Sequence, residues 1–576
     1  MVEAAFLFQM VLDGKGAASG VAVGRIYIHK KNINVPEEGF TAAGEEQLHL
    51  DHYLLVKNEA LQELEKLYFS IQEHDPEKAE IFKAQQEIVN DIVINEEIPA
   101  RILNDQWTGD WAIYQVYETV IVVLQKALDP LIAERAADFD DVRSLLLRLW
   151  HGDKESRLSV LSEPVIIAAH DLMPSDIASL DKSKVLAILT AKGGVTSHTA
   201  IIARSYGIPA VMGIHGLLDV VKQGQLAAVN ADEGSVILDP EETVAAEYEK
   251  KHEALRRDRQ EAERFLNGEG RTSDGVKIEI GLNIADADVE PKTYADFVGL
   301  FRTEFLFMGR DSLPSEEEQF ASYRKILTSF GERPVILRTI DIGGDKPVSS
   351  LNIPREENPF LGNRAIRFCF SNPEIFRVQI RACLRAAVHG NLYIMLPMVS
   401  SIDDILKAKE IIASVTDELK KKKKPFAAAK IGAMVEIPSI ALVADHAARE
   451  VDFASIGTND LCQYLCAADR MNSAVENYYQ SYHPAMFKLI KETVTAFENL
   501  GKPVSICGEL ASDPLAVPVL IGLGLRKLSM GEASVAAVKR AIACVSVKKA
   551  EEIAAKVLQL PTAAEVEKYL KTSIII

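Results

Sequence analysis

The chain has 576 residues, of which 48% are apolar, and carries a formal net charge of −19. That length calls for several domains, and that apolar share builds real cores and excludes a disordered chain. The acidic balance excludes nucleic acid as a partner and suits a neutral or basic protein, because the one basic run, Lys420 to Lys424, reads as a solvated loop before a strand.

Taken in chain order, Ala5 to Leu12 is apolar but short. Without a basic start or a cleavage site it reads as a strand or an irregular lead-in, not a signal peptide. The first part, to about Asn34, is rich in Gly and Val and predicts strands. From Glu45 to about Arg148 apolar residues recur at helical spacing, in Leu54 to Ile71, Ala79 to Ile98 and Trp111 to Leu128. Asp75-Pro76 and Asp129-Pro130 break these runs, so an all-helical insert of about four helices is expected. Short apolar strands return at Val165 to Ala168, Val185 to Leu189, Leu226 to Val229 and Val236 to Leu238. They and the first residues form one α/β unit, with the helical insert between them. Glu241 to Leu266 is charged and helix-forming, a connecting helix.

From Gly270 a strand-then-helix rhythm sets in. Eight candidate strands follow: Lys277–Leu282, Gly299–Arg302, Val335–Arg338, Leu392–Leu396, Ile431–Val435, Phe453–Ile456, Val504–Cys507 and Lys527–Met530. They predict a (β/α)₈ barrel with a decorated loop between strands three and four. The fold class is therefore an α/β multi-domain chain. No run approaches the length of a membrane span, so no membrane partner is expected. Scattered cysteines without a paired framework point to a reducing, cytoplasmic setting.

Barrel enzymes keep their chemistry at the C-terminal strand ends. Here those ends are polar: Asn283 after strand one; Arg302-Thr303-Glu304; Arg338, leading to Asp341 and Gly343-Gly344-Asp345-Lys346; Glu436; Asn459-Asp460, with Arg470 on the loop beyond; and Cys507-Gly508-Glu509. Arginines offer forked donors matched to phosphate and carboxylate oxygens. Glu436 and Asp460, on neighbouring strands, are placed to share a hard cation, Mg²⁺. Together they describe a pocket for a small, highly anionic phosphorylated substrate. Cys507 is either a small buried residue or a proton donor or nucleophile, and its place beside Glu509 favours function. Cys462 and Cys466 lie one helical turn apart without further ligands, which reads as core packing and not zinc.

The most specific signal is Gly193 to Arg204, in which His198 follows a strand, a Gly-Gly turn and a Thr-Ser pair and opens an apolar helix. A helix N-terminus stabilises an anion, and imidazole is a competent nucleophile near neutral pH, so a phosphoryl group carried on His198 is the reading.

This histidine segment resembles the phosphohistidine domain of the phosphoenolpyruvate-utilising enzymes. Gly299 to Leu306, Glu356 to Gly362, Ile456 to Leu461 and Cys507 to Glu509 are similar to that family's barrel motifs. Within it the domain order resembles enzyme I of the phosphoenolpyruvate:sugar phosphotransferase system: a helical insert is present, and a P-loop and a large N-terminal nucleotide-binding domain are not. The resemblance implies segments 1–34 and 155–240 as the phosphohistidine domain, 35–154 as the subdomain that docks the carrier protein HPr, 241–269 as the linker helix and 270–576 as the phosphoenolpyruvate-binding barrel. Ala79 to Glu87 and Glu134 to Arg143 look like the docking segments.

By the same resemblance His198 accepts the phosphoryl group through Nε2. Arg302, Arg338 and Arg470 hold phosphoenolpyruvate with Asn459 and Asp460, and Arg364 and Lys346 are further anion contacts. Glu436 and Asp460 bind Mg²⁺, and Cys507 protonates the enolate carbon to give pyruvate. Homodimerisation through the barrel half is also implied. Rival readings are a donor to a nitrogen-regulatory carrier, a phosphoenolpyruvate-binding protein without turnover, and a dikinase fragment. Two departures stand out: Met173 where the family commonly has Thr beside the histidine, and Ser512 where Gly is usual.

Overall fold

The computed structural model describes residues 10–29, 35–42, 44–72, 76–126, 130–152, 161, 163–172, 176, 180–193, 199–200, 203, 206–285, 287, 292–307, 312–343, 351, 356–470 and 472–573. The chain falls into two compact units, Met1–Arg257 and Asp258–Ile576.

The first unit contains an eight-stranded sheet of β1 (Met10–Asp13), β2 (Lys15–Ala18), β3 (Val21–His29), β4 (Val165–Ala169), β5 (Val185–Thr190), β6 (Ala210–Met212), β7 (Leu226–Asn230) and β8 (Ser235–Leu238). The spatial order is β1-β8-β7-β3-β4-β5-β6-β2. Strands β3, β4, β5 and β6 run parallel, and antiparallel neighbours flank them. The central strands read as continuous apolar runs because both faces are covered. Ile167, Ala169 and Ile188 enter one core, while Ile166, Ala168, Ala187 and Leu189 enter the other. This is the period-two alternation of a strand, each face finding its own apolar cover. The β7–β8 turn depends on Gly234, whose φ is +71° and whose added Cβ would lie 2.3 Å from the Gly14 carbonyl oxygen. Strand β6 has three residues, too few for its alternation to stand out in the sequence.

Among the described residues between β3 and β4 lie five helices: α1 (Glu46–Gln72), α2 (Pro76–Val89), α3 (Ile92–Asn104), α4 (Gly109–Gln125) and α5 (Pro130–Trp150). The run read as one helix from Ala79 to Ile98 is two. Asp91 caps α3 by accepting the Ile94 N–H at 3.1 Å. Phe82, Val89, Ile94 and Ile98 share one core, so the apolar rhythm continued across the break and hid it. A buried polar joint links α2 to α5, with Gln85 donating to Asp141 at 3.2 Å. The charged connecting segment is helical over Glu242–Glu263.

The second unit contains a closed barrel of eight parallel strands: β9 (Glu279–Ile284), β10 (Phe297–Arg302), β11 (Val335–Arg338), β12 (Leu392–Leu396), β13 (Lys430–Val435), β14 (Phe453–Ile456), β15 (Val504–Ile506) and β16 (Lys527–Met530). All eight expected strands are present, with bounds moved by up to two residues. The barrel interior is filled by Phe297, Leu300, Ile336, Met395, Met434, Phe453 and Cys507, so it is a packed core and not a pore. The segment between β11 and β12 carries helices Ile366–Ser371 and Pro373–Ala386, as the decorated loop requires. Among the described residues no helix is long and apolar enough to cross a membrane.

Candidate active site

The C-terminal strand ends of the barrel bring four arginines and four carboxylates together. Arg338, last in β11 and buried, bonds Glu304 after β10 through Nη2 and Asp341 at 3.1 Å through Nη1. Arg364, 1% exposed, forks onto Asp341 with Nε and Nη2 at 2.9 and 3.1 Å, and its Nη1 reaches Asp460 at 3.2 Å. Arg470 approaches the same Asp460 oxygen at 3.7 Å. Arg302, last in β10, is exposed at this mouth. Burial works against the charge on Arg338 and Arg364, but the surrounding carboxylates outweigh it and raise both guanidinium pKa values.

Glu436 follows β13 and is 1% exposed. Its Oε1 accepts the Met398 N–H at 2.6 Å, from a residue whose φ is +55°. Burial pushes its carboxyl up to about 8, reinforced by repulsion from Asp460 and Asp341 and opposed by Arg338 and Arg364. Asp460 lies in the first turn of the helix Thr458–Cys466. Asn459 beside it accepts the Glu509 N–H at 2.9 Å through Oδ1.

Cys507 follows β15, buried among apolar interior side chains. Burial pushes its thiol up to about 11; Glu436 adds to this, and the Ser455 hydroxyl, Arg338 and Arg302 oppose it. The group is therefore a thiol at neutral pH, the state a proton donor needs. Gly508 next to it has no room for a side chain: a Cβ there would lie 1.9 Å from Thr458 Oγ1 and 2.7 Å from its nitrogen. The absence of a side chain lets the β15 end close onto the helix that carries Asn459 and Asp460.

Asn283 is not beyond its strand, as the sequence reading had it, but inside β9. It donates to the Cys507 carbonyl at 3.0 Å and accepts from Ser529 at 2.7 Å, tying three strand ends together. Several neighbours were given no role in the sequence. Asp341 bridges Arg338 and Arg364; Phe360 lies 5.8 Å from the Arg364 and Arg470 guanidinium carbons; and Gln379 donates to Thr303, which itself donates to the Arg338 carbonyl. Phe360 lies in the segment Glu356 to Gly362 that carried part of the resemblance. Gln379 sits on the buried face of a helix, with nothing in the pattern to set it apart. His198, Lys346 and Met173 lie outside the described residues. Near His198, Thr199 is buried and donates to the Leu172 carbonyl at 3.2 Å, and Ala200 and Ala203 enter the core on one face of the sheet.

Three family descriptions match the chain: "PEP-utilising enzyme, PEP-binding domain" over residues 259–547, "mobile domain" over 161–234 and "N-terminal" over 13–135. The chain belongs to the PEP-utilising enzyme family. Its similar relatives carry the name phosphoenolpyruvate-protein phosphotransferase. That of Bacillus subtilis (strain 168) is 38% identical over 97% of this chain and 99% of its own length. That of Staphylococcus carnosus (strain TM300) is 38% identical over 98% and 99%. That of Staphylococcus aureus is 40% identical over 85% and 86%.

Among the described residues no three His, Cys, Asp or Glu side chains converge as a metal cage. Glu436 and Asp460 are the carboxyl groups at the mouth that would hold a hard cation together with substrate oxygens. Glu436 is buried, crowded by Asp460 and Asp341, and reluctant to ionise until positive charge arrives.

Proposed function

We propose that the chain takes the phosphoryl group of phosphoenolpyruvate onto His198, releases pyruvate, and passes the group to a histidine of an HPr-like carrier, the first step of a sugar phosphotransferase system. One observation carries this reading: four arginines, the carboxyl groups of Glu436 and Asp460 and a buried thiol converge on one barrel mouth, in a chain alike over nearly its whole length to phosphoenolpyruvate-protein phosphotransferases.

In this reading Arg302, Arg338 and Arg470 grip the phosphate and carboxylate of the substrate, with Asn459 and Lys346 assisting. Arg338 and Arg364 are both engaged by carboxylates, Arg338 by Glu304 and Asp341 and Arg364 by Asp341 and Asp460, and Arg364 also holds the Asp460 carboxylate in place. Glu436 and Asp460 would hold Mg²⁺, which when bound neutralises charge on the phosphate oxygens. The Nε2 of His198 attacks phosphorus; the phosphorus–oxygen bond of the substrate breaks and leaves enolpyruvate. The thiol proton of Cys507 goes to the enolate carbon. A donor near pH 7 must still hold its proton, and burial of Cys507 keeps it there.

The proposed division of labour follows the segments. Residues 1–34 and 155–240 carry the histidine, 35–154 receive the carrier, 241–269 link, and 270–576 bind the substrate. Docking on the helical segment is supported by the exposed apolar side chains Leu48 and Leu55, two turns apart on α1. An acidic chain also suits a basic carrier. Self-association through the barrel half follows from the resemblance and is read out by sedimentation.

The test is incubation with Mg²⁺ and phosphoenolpyruvate labelled in the phosphate. Acid-labile label is expected on the protein, absent from His198→Ala and not formed when Mg²⁺ is chelated beforehand. Label persisting on His198→Ala contradicts the assignment.

A further inference from the structure

Cys462 and Cys466 take no part in the proposed reaction, yet they share a helix with residues that do. We propose that they form a redox-responsive dithiol, which a hydroperoxide closes into an intrahelical disulfide, displacing the phosphoenolpyruvate contacts on that helix and lowering affinity for the substrate.

The two sulfurs lie 4.0 Å apart, one turn from each other on the helix Thr458–Cys466. Cys466 is partly exposed and meets an oxidant first; Cys462 is buried beneath it and waits as the resolving partner. In the first step the Cys466 sulfur takes an oxygen from the peroxide, whose O–O bond breaks, giving a sulfenic acid and water or an alcohol. In the second, the Cys462 sulfur attacks the sulfenic sulfur, the S–O bond breaks, the Cys462 thiol proton leaves with the hydroxyl as water, and an S–S bond forms. The two thiols lose two electrons, and the peroxide gains them.

Closure must deform the helix. A disulfide needs an S–S length of about 2.05 Å and β-carbons about 3.5–4.5 Å apart. Side chains four apart on a regular helix have β-carbons about 5–6 Å apart. The turn is therefore drawn in by about 1–2 Å. A strained bond of this kind is easily reduced, which suits a reversible response.

The deformed turn carries the mouth. Gln463 lies inside it and accepts the Arg470 N–H at 3.1 Å, and Ala467 ends the helix in the left-handed region at φ +50°. Asn459 and Asp460 occupy the first turn of the same nine-residue helix, and the Asn459 carbonyl accepts from Tyr479 at 3.3 Å. Drawing in the last turn shifts the anchor of Arg470 and, through the helix, the Asn459 side chain that holds Glu509.

The formation of the disulfide stands apart from the proposed function; the loss of affinity rests on it. The experiment treats the full chain with hydrogen peroxide, then measures the tryptic peptide 450–470, which contains both cysteines, and phosphoenolpyruvate binding by calorimetry. The expected result is a loss of two hydrogens from that peptide and at least a tenfold weaker binding, both reversed by dithiothreitol. Cys466→Ser, at the partly exposed position, and the double variant Cys462→Ala/Cys466→Ala are expected to bind as the reduced protein does and to ignore peroxide. The proposal is overturned by a peptide that keeps its hydrogens or gains oxygen on one sulfur, by a disulfide that leaves affinity unchanged, or by equal peroxide sensitivity of the variants, which would place the effect outside this pair. A reduced chain that binds no phosphoenolpyruvate defeats the proposed function and the loss of affinity together, while the peptide mass still decides whether the dithiol closes.

Discussion

The Cys507 thiol sets the chemistry at the smallest scale. Pushed up to about 11 by burial, it is overwhelmingly thiol at pH 8, and only the deprotonated fraction reacts. Iodoacetamide at pH 8 is therefore expected to label the exposed Cys544 at least tenfold faster than Cys507, followed by peptide mass; equal rates would contradict a buried donor. Gly508→Ala forces the start of the helix Thr458–Cys466 away from the β15 end. It is predicted to lower kcat/KM by tenfold or more while leaving the circular dichroism of the chain intact. Arg364→Met takes from the buried Asp341 its two-pronged partner and from Asp460 its nearer one, leaving Arg338 and Arg470 beside them. Removing one partner of a buried ion network costs about 3–5 kcal/mol, which denaturant unfolding of the barrel unit should show.

The elements explain which of these features the sequence revealed. The barrel strands were legible because each is an apolar run followed by a polar residue, and Arg302, Arg338, Glu436 and Cys507 stand at or just after the strand ends where such residues were sought. Asp341 with Arg364 was not, because the pair is 23 positions apart and joined by a loop whose path no periodicity dictates. The α2–α3 break was missed because a cap interrupts the backbone without interrupting the apolar face. Packing between elements makes its own prediction. Glu316, opening the helix Glu316–Phe330, bonds Arg381 and Arg385 of the helix Pro373–Ala386. Burial would raise its carboxyl pKa, but the two arginines outweigh burial and hold it below the ordinary value of 4.5. A carboxylate depressed on folding stabilises the protein above its unfolded pKa and loses that stability as pH falls through the folded one. Glu316→Gln is thus expected to cost about 1 kcal/mol at pH 7, reduced by solvent screening, with the difference from the parent shrinking below pH 4.5. A difference that persists unchanged at pH 3 would contradict the ion-pair account.

At the scale of the whole molecule the claim is that one histidine and one barrel mouth act on the same phosphoryl group. The two halves were legible to different degrees: the mouth through its many convergent charges, the histidine through a single short motif, Gly193 to Arg204. Together they predict a reversible half-reaction that needs no carrier. The direct measurement is exchange of isotopically labelled pyruvate into phosphoenolpyruvate by the full chain with Mg²⁺. The account predicts exchange by the parent and none by His198→Ala, which cannot hold the phosphoryl group, or by Cys507→Ala, which cannot return the carbon-bound proton. Exchange at the parent rate by His198→Ala would contradict it, because the phosphoryl group would then have another resting place.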